Sequence, residues 1–154
     1  MKPLPASPAN GRRRITNGRA GQFKVERWLR KIGKLRTRMA PWHCPYDLLV
    51  ETDTRGVFNR VEVKSSDFCQ GRWFFNIHRH NKMTENHVDF YVLRLDKFPY
   101  RRKAMHLVIK SPIGKRTIKM TLQGLVSKYG VHANRTDLLR IPCEKSLDLR
   151  HEQD

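Results

Sequence analysis

Two short runs, Asp47-Leu48-Leu49-Val50 and Val61-Glu62-Val63-Lys64, constrain this chain more than any other feature. Side chains alternate faces along a strand, so Val61 and Val63 must point one way while Glu62 and Lys64 point the other. Between the runs, Asp53-Thr54-Arg55-Gly56 has turn chemistry. A hairpin centred between Thr54 and Arg55 pairs Leu48 with Val61 and sets Asp47 opposite Glu62. Two carboxylates and an ammonium then share one face.

Hard cations prefer carboxylate and carbonyl oxygens and keep several waters. Asp47 and Glu62, with the Val63 carbonyl as a third ligand, therefore form a candidate site for Mg²⁺, with Mn²⁺ able to substitute. Lys64 can stabilise developing negative charge or help deprotonate an attacking water, and the trio suits hydrolysis of a phosphodiester. A Glu-x-Lys pattern on one strand is common on exposed faces. The matching position of Asp47 makes the combination specific.

The charge balance points to the same substrate class. Lysine and arginine number 32 against 14 acids, giving +18 and a pI near 10.6. Such a field attracts a polyanion, and nucleic acid is the leading partner. No run is long and apolar enough for a membrane span, so no membrane partner is expected. The start, Met1 to Pro8, lacks an apolar signal core, which predicts a cytoplasmic protein. Cys44, Cys69 and Cys143 are odd in number and lack paired spacing, so reduced thiols are expected.

With 154 residues the chain suits one domain. Residues 1–16 hold three prolines and the run Arg12-Arg13-Arg14, and read as a disordered basic arm able to touch phosphates. From Asn17, a plausible N-cap, to Gly33 the pattern is helical, with Ala20, Gly21, Val25, Trp28, Leu29 and Ile32 as the buried stripe. Gln22 and Glu26 adjoin that stripe, so either could reach a site at the sheet edge. Strands are predicted at 35–39, along the hairpin, and at 72–78, 88–95, 105–109 and 117–120, the 88–95 strand being central. Thr121 would cap a second helix over 122–129 that buries Leu122, Leu125, Val126 and Tyr129; 138–143 would add an edge strand, and 144–154 form a polar tail. Residues 17–143 thus make one α+β domain with a mixed central sheet.

Candidate nucleic-acid contacts are Arg12, Arg13, Arg14, Ser65, Ser66, Arg72, His78, Arg79, His80 and Lys82. Lys115, Arg116 and Lys119 are further candidates for phosphate. Among the aromatics Phe74 is assigned to the core, and Trp73 is kept as a base-stacking candidate.

Gly18-Arg19-Ala20-Gly21-Gln22, Pro45 to Val50 and Val61 to Ser65, in that order, resemble the PD-(D/E)XK nuclease superfamily. Within it the chain is most similar to small endonucleases related to bacterial group I intron homing enzymes, over roughly residues 18–95. The resemblance implies a restriction-endonuclease-like sheet flanked by helices (α/β/α), Mg²⁺ bound by Asp47 and Glu62, and water positioned or activated by Lys64. Many relatives carry a glutamate where this chain has Gln22, and an amide orients water without adding charge. Either Gln22 takes that lesser role or Glu26, one turn on, substitutes. Two readings follow: a Mg²⁺-dependent endonuclease acting on duplex DNA, or a catalytically weak or inactive nucleic-acid-binding protein on the same fold. Symmetric cutting of both strands needs two copies of the site, which implies a homo-oligomer, a dimer or higher.

Overall fold

The computed structural model describes residues 8–41, 43–77 and 87–150, with only the backbone of residues 8–17 described. The expected contacts His78, Arg79, His80 and Lys82 lie outside the described residues. So do the side chains of Arg12, Arg13 and Arg14.

A mixed sheet forms the centre. Its strands are β1 (Thr37–Met39), β2 (Leu48–Glu51), β3 (Val57–Asp67), β5 (Phe90–Asp96) and β6 (Met105–Lys110), in the spatial order β1-β2-β3-β5-β6. All neighbours are antiparallel except β3 and β5, which run parallel. The expected central strand is β5, buried on both faces: Phe90 and Val92 enter one core, Tyr91, Leu93 and Leu95 the other. A two-stranded ribbon of β4 (Trp73–Asn76) and β7 (Thr117–Met120) lies apart from the sheet.

One face is covered by helix α1 (Pro8–Lys31), which buries Val25 and Leu29 against Leu48, Val50, Val61, Val63 and Val92. Each such side chain contributes about 1.5–3 kcal/mol on burial. The helix starts nine residues before the expected cap at Asn17, so Pro8 to Thr16, assigned to the arm, are helical. Proline is tolerated in a first helical turn, where its missing N–H has no partner to lose. Two members of the expected stripe, Ala20 and Ile32, are exposed, Ile32 to 70%. The helix buries a stripe narrower than the apolar periodicity, centred on Val25 and Leu29.

The opposite face of β5 and β6 is covered by the β4–β7 ribbon, whose Trp73, Phe75, Ile118 and Met120 point inward. This reverses the aromatic assignment. Trp73 is fully buried and its indole N–H donates to the Asp96 carbonyl at 2.8 Å, so it is not available to stack on a base, whereas Phe74 is 46% exposed. Alternation obliges the two to part, and packing on the sheet decides which goes in.

The second helix is short. Thr121 caps it as expected, its hydroxyl accepting from Gly124 N, but α2 (Leu122–Gly124) passes at once into a π-turn (Leu125–Tyr129) that leaves Val126 84% exposed. The 138–143 edge strand is not formed. Thr136–Arg140 is a 3₁₀ helix, and the edge strand is β8 (Leu147–Asp148), antiparallel to the start of β3. Asn59 accounts for this path. Its buried amide donates to the carbonyls of Leu139 and Ile141 and accepts from Cys143 N and Ser146 Oγ. Cys44, Cys69 and Cys143 are free thiols, as expected.

Candidate active site

The hairpin forms in the expected register. Leu48 pairs with Val61, Leu49 with Arg60, Val50 with Asn59 and Glu51 with Phe58. Asp47 continues that ladder: its N–H donates to the Val61 carbonyl at 2.9 Å and its carbonyl accepts from Ala40 N at 2.9 Å. Gly56, at φ +82°, supplies the left-handed residue that lets the turn close.

Val61 and Val63 enter the core beneath α1. Glu62 and Lys64 therefore face the ribbon side, beside Tyr91 and Leu93. Glu62 and Lys64 form an ion pair at 3.2 Å, their side chains 12% and 22% exposed. The Asp47 carboxylate is held at both oxygens: Oδ1 accepts from Gln22 Nε2 and Oδ2 from Val63 N, each at 2.7 Å. Gln22 thus reaches Asp47 from α1. Glu26 instead pairs with Arg30 at 3.3 Å, and its Oε2 is buried with no hydrogen-bond partner among the described residues.

Both acids resist ionisation. Burial pushes the Asp47 carboxyl above its ordinary range, opposed by the Val63 amide and the Lys64 charge. Burial, reinforced by the negative charge of Asp47, raises Glu62 to about 7 against the pull of Lys64. Near neutrality the pair therefore carries less negative charge than two carboxylates in water. A cation placed between them would reverse that balance.

This donor set fits a hard divalent ion. Among the described residues no group of three or more His, Cys, Asp or Glu side chains could hold a metal; Asp47 and Glu62 would offer an ion two carboxylates. One or two carboxylates are the usual protein contribution to Mg²⁺, which keeps several waters. Val63 turns its N–H to Asp47.

The flanking candidates separate by face. Ser65 lies on the helix side, exposed and pressed against Gly21, where a Cβ would stand 2.4 Å from Ser65 Oγ. Ser66, on the face of Lys64, accepts from Phe74 N at 2.9 Å and so ties the ribbon to the strand that carries the site. Arg72 is exposed at the ribbon's entry. The Gln22–Asp47 contact was visible in the sequence only as one of two possibilities. No local signal distinguished Gln22 from Glu26, because both flank the same stripe.

A mixed sheet with a long helix on one face and a carboxylate-bearing β2–β3 hairpin is an α+β fold. Among solved structures, the bacterial homing endonuclease I-Ssp6803I shares it, with a TM-score of 0.60 and 17% sequence identity over 80% of this chain and 90% of that one. No family model matches the chain, and no curated protein matches it in sequence. No helix of the described residues is long and apolar enough to cross a membrane.

Proposed function

We propose that the protein is a metal-dependent DNA endonuclease of the PD-(D/E)XK type, hydrolysing phosphodiester bonds at Asp47, Glu62 and Lys64. The observation that carries this reading is the convergence on one hairpin of two acids that resist ionisation and a lysine paired to one of them, in a chain of net charge +18. The fold it shares with I-Ssp6803I, described as a homing endonuclease, supports the same class of substrate.

In this reading Asp47 and Glu62 hold Mg²⁺ together with the Val63 carbonyl. When bound, the ion supplies Lewis-acid polarisation of a phosphoryl oxygen. The chain's own groups do the rest. Gln22 and the Val63 amide fix the Asp47 carboxylate in one orientation, so no reorganisation is needed when substrate arrives. Lys64 places a positive charge beside the carboxylates, where it can stabilise an anionic phosphorane-like transition state or relay a proton. Gln22 is a positioning residue, since it acts through Asp47.

The test is cleavage of supercoiled plasmid with and without Mg²⁺ by the native protein, Asp47→Ala and Lys64→Ala. Native cleavage that needs the ion and is lost in both variants is the expected result. If the native protein binds the plasmid yet leaves it intact over a range of salt and of Mg²⁺ and Mn²⁺, the endonuclease reading is wrong. A non-catalytic nucleic-acid-binding protein on this fold is then the reading that stands. Cutting both strands would need two copies of this single site, so the active form is proposed to be a homo-oligomer, and a monomer in sedimentation with duplex bound would refute that.

A further inference from the structure

The ribbon covers the sheet face over β5 and β6, and Glu62 and Lys64 lie at the margin of that cover. Beyond them the same face continues across β3, β2 and β1. Thr37 pairs with Val50, a core residue beneath α1, so Arg36 and Arg38 on either side project to the opposite face, as does Glu51. Phe58, paired with Glu51, lies there too, and the Arg38 guanidinium sits 5.6 Å from the centre of its ring.

These residues line two adjoining clefts of about 610 and 710 Å³ that share Arg36, Arg38, Glu51 and Phe58 as walls. Arg30 and Lys34 enter one cleft from the end of α1; Arg55 and Arg150 enter the other from the hairpin turn and the segment after β8. Two of these cations already have carboxylate partners, Arg30 with Glu26 and Arg150 with Asp148. Arg36, Arg38 and Arg55 are exposed and form no ion pair among the described residues. Glu51, half-buried, is the one acid among the described residues of either wall and accepts from Gly56 N at 3.4 Å. Unneutralised arginines gathered in a concavity cost self-repulsion unless an anion shares it.

We infer that this arginine-lined cleft at the β1 edge is a second nucleic-acid contact, which holds the phosphodiester backbone of duplex DNA that also reaches the Glu62–Lys64 site. It rests on the proposed endonuclease reading for the identity of the polyanion. The spacing suits a continuous track. Phe58 lies four residues before Glu62 on β3, about 13 Å at about 3.3 Å per residue. Duplex DNA carries about one charge per 1.7 Å of axis, so several phosphates span that distance. Guanidinium forks match phosphate oxygens, and the stack of Arg38 on Phe58 holds one fork in place. The cleft contacts backbone only, and so adds affinity and register without reading sequence.

The test is fluorescence anisotropy of a labelled 30-base-pair duplex in EDTA, titrated at several salt concentrations between about 50 and 200 mM. The variants are Arg36→Ala/Arg38→Ala; Arg36→Lys/Arg38→Lys; and a charge-matched control among the exposed residues of α1, Lys24→Ala/Arg27→Ala. The alanine pair in the cleft is expected to weaken binding about tenfold or more and to lower the slope of log affinity against log salt by about 2, at about 0.9 for each lost phosphate contact. The lysine pair should keep most of that slope, which a merely structural role of the arginines would not require. Native binding with an unchanged slope in the alanine pair, or an equal loss in the control pair, overturns the cleft proposal and leaves the endonuclease reading standing. If the native protein itself fails to bind the duplex, both readings fall.

Discussion

Glu62 ionises only near pH 7 in the folded protein, against 4.5 for an ordinary glutamate, because burial and the charge of Asp47 outweigh the pull of Lys64. This has a definite consequence for stability. The folded state holds a proton that the unfolded chain has already released, so the native form binds more protons between pH 4.5 and 7 and stability must fall as pH rises through that window. Below 4.5 both states are protonated and the effect vanishes; above 7 both are ionised and it is constant. At about 1.4 kcal/mol for each tenfold change, the full penalty is roughly 3 kcal/mol. Glu62→Gln removes the titration while keeping shape and hydrogen-bonding capacity. The metal-free variant is therefore expected to gain stability over the native protein from pH 5 to pH 8, by up to about 3 kcal/mol. Urea unfolding in EDTA, followed by tryptophan fluorescence at pH 5, 6, 7 and 8, reads this directly. Any constant offset from the swap itself cancels between pH values. A difference that stays flat with pH, or moves against the variant as pH rises, would refute the account of the site's electrostatics.

Other elements give sharper structural tests. Gly21→Ala should destabilise the fold by about 1 kcal/mol or more, because its Cβ would meet Ser65 Oγ at 2.4 Å. In a Ser65→Ala background the same change should approach neutrality or stabilise, since alanine is then free to contribute its helix propensity of up to about 1 kcal/mol; denaturation of the double-mutant cycle checks the sign change. Asn59→Leu strands the carbonyls of Leu139 and Ile141 and the donors of Cys143 and Ser146. A loss of roughly 2–4 kcal/mol is expected, with faster amide exchange over 139–147 as the local signature. His106, stacked on Trp28 with ring centres 4.0 Å apart, is held to about 3 by burial and by the Arg94 cation. The unfolded chain protonates it near 6.5, so its contribution is present above that value and is lost as pH falls towards 3. His106→Phe should therefore flatten the acid loss of stability between pH 6.5 and 4 in thermal melts, and a profile parallel to the native one would contradict this.

The candidate site was legible because it is built from local rules. Strand alternation separates Val61 and Val63 from Glu62 and Lys64, and a turn of known chemistry at Gly56 sets Asp47 opposite Glu62; both depend only on residues close in the chain. The central position of β5 was legible for a similar reason, as an apolar run long enough for a strand buried on both faces.

What sequence could not decide are contacts made across distance. Trp73 and Phe74 carry equivalent signals, and only the docking of the ribbon on the sheet sends Trp73 inward. Gln22 and Glu26 flank the same helical stripe, and only the angle at which α1 crosses β3, close at Gly21 and Ser65, brings Gln22 to Asp47. The path from Leu139 to Ser146 follows from one buried amide, Asn59, some eighty residues earlier. The arginines of the β1 cleft come from four separate stretches of chain, so their gathering has no local signature at all. By itself the sequence determined the hairpin and its register, through periodicities within one element. The tertiary structure decided which amide, which aromatic and which arginines share a surface, because those choices depend on how whole elements pack.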